Sequence, residues 1–201
     1  MRTVKKPEER LKELIELAKE LFLEKGYEKV TVREILNKTE SSGGPGLFYH
    51  YFKSKKEIYE AVINQMAEET ILKRKKIFQE MDNSDESVLL TISKLLIMIR
   101  NDTLEYQKLQ LKGENKQLLE SASKKIIKSE KTMIKTLLYQ LLERRIVPES
   151  PIFNNDSCDF LANFIIYGAN GILANLEPDQ DRIEATEYIK KVIEKLTYLQ
   201  L

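Results

Sequence analysis

From Leu47 to Lys112 the chain contains neither glycine nor proline. Tight chain reversals draw on these two residues for the backbone angles that others adopt poorly. A sheet could not be folded back on itself through so long a span without them, so helices are expected to fill it. The flanking sequence has the same character. Leu11, Leu14, Ile15, Ala18, Leu21 and Phe22 recur at helical steps and give one apolar face between Glu8 and Lys25. Gly26 then suits a left-handed residue just past a helix end. Thr31 with Glu34 has the spacing of a capping box, and Val32, Ile35 and Leu36 form the apolar side of a second short helix. Breaks are expected at Phe52-Lys53, near Asp82-Asn83-Ser84 and around Asn101-Asp102-Thr103. Further helices are expected at roughly 115–145, 156–176 and 181–199, with a loop from Pro148 to Asn155. The fold class is therefore all-α.

Residues 41–59 read SSGGPGLFYHYFKSKKEIY. A glycine-rich turn leads into the aromatic run Leu47-Phe48-Tyr49-His50-Tyr51-Phe52. Pro45 fits the first turn of a helix, where its missing N–H costs nothing. Ser54 and Glu57 make a second capping box. No acidic residue lies between Ser41 and Lys56, so a phosphate backbone could approach that stretch without repulsion. A turn followed by a short helix of this kind is the pattern of a helix-turn-helix, whose second helix presents its first residues to base edges. Gly44, Pro45, Gly46 and Leu47 would stand at that entry. The small residues would allow close approach, and Leu47 could meet a thymine methyl.

Charge by itself decides little. Residues 1–60 hold 13 Lys/Arg against 11 Asp/Glu, and the remainder 20 against 21. This balance excludes a polybasic nucleic-acid coat, and the local acid-free run is the more informative feature. Cys158 is the only cysteine, so no intramolecular disulfide can form, which fits a reducing interior. The N-terminal stretch is charged throughout and lacks the apolar core of a secretory leader, and no apolar run is long enough to span a membrane. A cytoplasmic protein is expected. His50 is the only histidine, which argues against a metal site, and no Ser-His-Asp set is recognised. The glycine turn lacks the GK[ST] ending and the preceding strand of a phosphate-binding loop. No catalytic residue, cofactor or metal is expected, and the protein is not read as an enzyme.

Residues 10–62 resemble the TetR family of bacterial transcriptional regulators. The resemblance rests on the order and spacing of Leu21-Phe22, Lys25-Gly26-Tyr27, Thr31-Val32-Arg33-Glu34-Ile35 and Phe48-Tyr49-His50-Tyr51-Phe52-Lys53-Ser54-Lys55. One departure is the connection Lys38–Gly46, which is longer than the small-Gly-Val-Ser type of turn usual in the family. The resemblance implies an N-terminal three-helix DNA-binding domain over residues 1–53 and a helical effector-binding and dimerisation domain over 54–201. It implies DNA contacts from Thr31, Val32, Arg33, Gly44, Pro45, Gly46, Leu47, Tyr49, His50, Lys53 and Lys55. Tyr49 and His50 would reach phosphate. Lys55 would meet an anion in the first turn of the next helix, where its charge and the helix dipole coincide. Arg2, Lys5 and Lys6 fit either a minor-groove arm or a solvated terminus.

Beyond residue 62 no sequence signature matches the family. There the resemblance implies an effector cavity, for which Phe78, Met98, Tyr106, Met133 and Tyr167 are candidates, although such a stripe is ordinarily core packing. Phe160, Phe164, Gly168 and Gly171 follow helical steps on a segment with few charges, and Ile189, Val192 and Leu196 mark the last helix. Both sets are candidates for a homodimer interface. The expected protein is a homodimeric repressor that binds double-stranded operator DNA and is released by a small-molecule effector. The alternative is a ligand-independent or architectural DNA-binding protein of the same fold, controlled by a protein partner.

Overall fold

The computed structural model describes residues 6–39, 44–80, 85–109, 116–177 and 180–199, and within them places eight α-helices and no strand. They are α1 (Pro7–Lys25), α2 (Val32–Lys38), α3 (Gly44–Tyr51), α4 (Lys55–Gln79), α5 (Asp85–Lys108), α6 (Lys116–Glu143), α7 (Cys158–Ala174) and α8 (Arg182–Thr197). Two compact units are distinguished. The first comprises Met1–Glu68 with Glu105–Ala122, and the second Glu69–Leu104 with Ser123–Leu201. Among the described residues no helix is long and apolar enough to cross a membrane.

Local chemistry sets the helix ends of the first unit. Pro7 opens α1, and Glu8 and Glu9 place negative charge at the positive end of its dipole. Gly26 closes it with φ +79°, a conformation few side chains tolerate, and its N–H donates to the Phe22 carbonyl at 2.9 Å. Thr31 and Glu34 form the expected capping box at the start of α2: the Glu34 N–H donates to Thr31 Oγ1 at 3.2 Å, and the Thr31 N–H to Glu34 Oε2 at 2.8 Å. Lys25 also pairs with Glu34 at 3.1 Å. The Thr31 backbone N–H, then Lys25, hold the Glu34 carboxyl below the usual carboxylate range. Leu14, Ala18, Leu21, Phe22, Val30, Ile35, Phe48, Phe52, Ile58 and Tyr59 are buried in this unit.

The second unit is built on a continuous apolar core from α5 to α8, including Leu96, Ile99, Leu137, Leu141, Phe153, Ile166 and Leu173. The helix expected at roughly 115–145 is α6, which closes at Glu143, before Pro148. Arg145 takes a left-handed φ of 56°, and the N–H groups of Arg145 and Ile146 turn back to the Leu142 and Leu141 carbonyls, a Schellman closure. The break expected around Asn101-Asp102-Thr103 is absent, and α5 runs through it. These polar side chains are spent elsewhere: Thr103 donates to the Arg100 carbonyl at 2.8 Å, and Asp102 accepts from Arg74 at 2.7 Å.

Arg74 is the centre of a buried ionic cluster. It is 1% exposed, and it pairs with Asp102 from α5 and with Glu130 from α6. Asn170 from α7 donates to Glu130 Oε2 at 3.0 Å. Burial pushes the Glu130 carboxyl above the ordinary carboxylate range, against the opposing pull of Arg74 and Asn170. The unfolded chain lacks that shift. Glu130 therefore stabilises the fold fully only below the ordinary carboxylate pKa, and the contribution is lost as pH rises through the raised folded value. Glu130→Gln abolishes this titration. The stability of wild type relative to the variant, measured by urea unfolding, is expected to fall as pH rises from about 4 towards neutrality. A flat or rising difference would show that folding does not disfavour the charged carboxylate.

Candidate nucleic-acid interface

In the first unit α1 packs on α2 and α2 on α3. α3 is seated by Phe48 and Phe52, both buried, with ring centroids 5.8 Å apart. Burying that side turns Gly46, Tyr49 and His50 outward, and Tyr49 is 60% exposed. Leu47 and Tyr51 are half-buried, and the Tyr51 ring meets His50 edge-on at 4.8 Å. Gly44 and Pro45 lie in the first turn of α3, as expected for Pro45. Ser41, Ser42 and Gly43 of the preceding turn are outside the described residues, as are Arg2 and Lys5. On α2 Arg33 is exposed and Val32 half-buried, while the exposed Thr31 hydroxyl is engaged with Glu34.

The start of α4 completes the surface. The Glu57 N–H donates to Ser54 Oγ at 3.2 Å, and the Glu57 carboxylate accepts from the Lys53 N–H at 2.5 Å. The capping box therefore reaches back one residue further than the spacing suggested, and it fixes the exposed Lys53. Lys55 is half-buried. Its ammonium donates to the Tyr27 carbonyl at 3.0 Å and lies 4.2 Å from the Tyr27 ring centroid. Tyr27 in turn packs edge-on against Tyr59 at 4.9 Å, and Tyr59 against Phe22 at 5.0 Å. Burial raises the Tyr59 phenol well above its usual range, and its hydroxyl donates to the Leu109 carbonyl at 3.4 Å. The aromatic cluster and its clamp on Lys55 were not anticipated, because partners 28 residues apart leave no local pattern.

Residues 14–62 match the family described as bacterial regulatory proteins, tetR family. The first unit thus carries a match to this family. The match covers α1 to α3 and the beginning of α4, so it spans every element of the surface just described. No curated protein matches the chain. Among solved structures, a TetR-family transcriptional regulator from Pectobacterium atrosepticum is similar over 100% of both chains, with TM-score 0.64 and 20% identity. A transcriptional regulator from Cytophaga hutchinsonii is similar with TM-score 0.70 and 16% identity, over 92% of this chain and 95% of its own. FadR from Bacillus subtilis, solved with stearoyl-CoA, is similar with TM-score 0.59 and 18% identity, over 94% of this chain and 99% of its own. At these identities the likeness shows the fold alone: an N-terminal helix-turn-helix arrangement followed by a helical C-terminal region.

Four of the effector candidates, Phe78, Met98, Met133 and Tyr167, lie in the second unit, and there they separate. Met133 is buried, and Met98 and Phe78 are half-buried, with Phe78 against the core. The Tyr106 side chain lies outside the described residues. Tyr167 is 59% exposed and shares the outer face of α7 with Phe160 and Phe164, at 75% and 55%. Gly168 and Gly171 lie on that exposed side, and a Cβ at either would meet nothing within 4 Å. α8 packs beside α7 and adds exposed Tyr188 and Val192 to a groove also lined by Leu196, while Ile189 is buried at its base. Phe160, Phe164, Gly168, Gly171, Val192 and Leu196 thus come together on one apolar surface. Tyr188 and Ile172 belong to it as well; helical spacing from Phe160 and Val192 was the signal that could have found them. Among the described residues no group of His, Cys, Asp and Glu is placed to hold a metal ion.

The Lys55–Tyr27 clamp yields a direct test. Lys55→Ala removes one charge-assisted hydrogen bond and one cation–π contact, so the variant is expected to lose about 1–2 kcal/mol in urea unfolding. An unchanged unfolding curve would show that the clamp contributes nothing to stability.

Proposed function

We propose that this protein is a homodimeric repressor that binds operator DNA through α2, α3 and the start of α4, and that a small-molecule effector releases it. The exposed, acid-free side of α3, seated by Phe48 and Phe52, carries the DNA-binding reading. In this reading Gly44, Pro45, Gly46 and Leu47 stand at the bases. Thr31, Val32, Arg33, Tyr49, His50, Lys53 and Lys55 line the flanking phosphates and groove walls. Lys55 can do so from its clamp, since an ammonium has three donors. Functionally the division falls at residues 1–53 for DNA binding and 54–201 for effector binding and dimerisation. Selection of bound sequences from random duplex DNA tests this reading. One recurrent palindromic site is expected, with affinity that falls steeply as salt rises. No enrichment over random sequence would sink it.

The apolar surface of α7 and α8 supports the dimer. Exposed apolar patches of this extent mark interaction sites in soluble proteins. Glycine inside a helix costs roughly 1 kcal/mol relative to alanine. Neither subunit packing nor a positive φ requires it at Gly168 or Gly171. Bare backbone there suits the close approach of a second copy of α7. Gly168→Arg places a long charged side chain on that surface. The variant is expected to sediment as a monomer and to lose operator affinity while its circular dichroism stays helical. Wild-type sedimentation would move the interface elsewhere.

The effector reading rests on the ionic cluster in the second unit. Arg74 Nε is buried and has no hydrogen-bond partner among the described residues. A polar ligand group could supply one. FadR, of the same fold, was solved in complex with stearoyl-CoA, which supports a ligand-responsive reading of this chain. A metabolite screen is expected to find compounds that raise the melting temperature and dissociate the operator complex. Linkage requires that the operator weaken effector binding by the same factor.

A further inference from the structure

Between Gly44 and Phe52 the chain reads GPGLFYHYF. This stretch holds no Arg, Lys, Asn, Gln, Asp or Glu, the side chains that pair with base edges through good directional hydrogen bonds. The first turn of α3, where a helix-turn-helix contacts bases, has no side-chain donor or acceptor at all. Side-chain hydrogen bonding on α3 begins only with Tyr49 and His50.

Gly46 adds an independent observation. It is exposed, has no positive φ, and a Cβ there would meet nothing within 4 Å among the described residues. Among the described residues neither backbone conformation nor packing calls for a glycine at this place, and alanine would favour the helix. What the missing Cβ does provide is bare backbone on the outer side of α3. Leu47, the next residue, is half-buried, so part of its apolar side chain remains open to a partner.

On the DNA-binding reading above, we propose that the first turn of α3 reads its operator through thymine C5-methyl groups and close backbone approach, not through hydrogen bonds to base edges. Leu47 is the residue assigned to the methyl, and Gly46 the residue that lets the helix come near enough. The geometry needed is apolar contact on the major-groove side of an A·T pair, where the methyl group is the only apolar feature displayed. Arg33 on α2 is exposed and free of such a restriction, so hydrogen-bonded readout is expected, if anywhere, at positions flanking those facing α3.

The test uses the full-length protein and the site recovered by selection. Each thymine of a half-site is replaced in turn by deoxyuridine, which removes the methyl and keeps the pairing. Each purine is replaced by its 7-deaza analogue, which removes the N7 acceptor. Deoxyuridine at one or two central half-site positions is expected to weaken binding roughly fourfold each, the worth of one buried methyl. The 7-deaza purines at those positions are expected to change affinity by less than about twofold, where a lost bidentate pair costs about tenfold or more. Leu47→Ala should erase the deoxyuridine effect at one position. Gly46→Ala should keep or raise the melting temperature and still weaken operator binding. The proposal is overturned if 7-deaza substitution at the central positions costs tenfold while deoxyuridine is neutral, or if Gly46→Ala binds as the wild type does. Failure to bind any duplex overturns the DNA-binding reading itself, a result distinct from specific binding with the opposite pattern of base analogues.

Discussion

α3 is eight residues long, far too short to hold helical form alone in water. Its existence depends on burying Phe48 and Phe52 in the first unit, with Phe22, Ile35 and Ile58 among the side chains buried there. That one constraint decides the rest of the surface. Once these two rings face inward, Gly46, Tyr49 and His50 must face out. The position of the candidate interface is thus a by-product of core packing. The caps at Thr31 and Ser54 then fix where the flanking helices start, and with them where Arg33 and Lys53 emerge.

A second aromatic group steadies the same unit. Tyr59 meets both Phe22 and Tyr27 edge to face, and Lys55 closes over Tyr27. Edge-on rings satisfy the quadrupole of each partner and leave little freedom to slide. Among the described residues the positive charge of Lys55 is held by the Tyr27 carbonyl and ring face. A carboxylate in that position would have neutralised the charge. The arrangement fixes the ammonium without neutralising its charge.

The second unit solves a different problem. Its interior is largely apolar, apart from a few buried threonines such as Thr186 and Thr197, but its charges gather where Arg74, Asp102, Glu130 and Asn170 meet. Such a cluster is weak evidence for stability, because desolvation offsets most of the attraction between the charges. Its value lies in specifying how four helices meet, or in offering polar groups to a ligand. The outer side of α7 shows the opposite imbalance, with apolar rings left in water around two bare glycines. Inside, charges are buried; outside, aromatic rings are exposed. Each departs from what folding of the subunit alone would select, and each is where a function is proposed.

Much of this was legible in the chain itself. The span without glycine or proline dictated helices, and the apolar steps in α1 and the Thr31–Glu34 box located their ends, because these signals act between neighbours. The acid-free run at Ser41–Lys56 and the aromatic order around His50 pointed to the helix-turn-helix for the same reason. The break expected at Asn101–Thr103 failed because polar side chains that can end a helix can also serve a distant partner, and only folding brings Arg74 to Asp102. Tyr167 and Met133 read alike as apolar candidates, yet one is exposed and the other buried. Helical phase alone does not say which side of a uniformly apolar helix faces the core. That choice, like the Lys55–Tyr27 clamp, belongs to long-range packing, where the sequence supplies the side chains and the tertiary structure decides which of them meet.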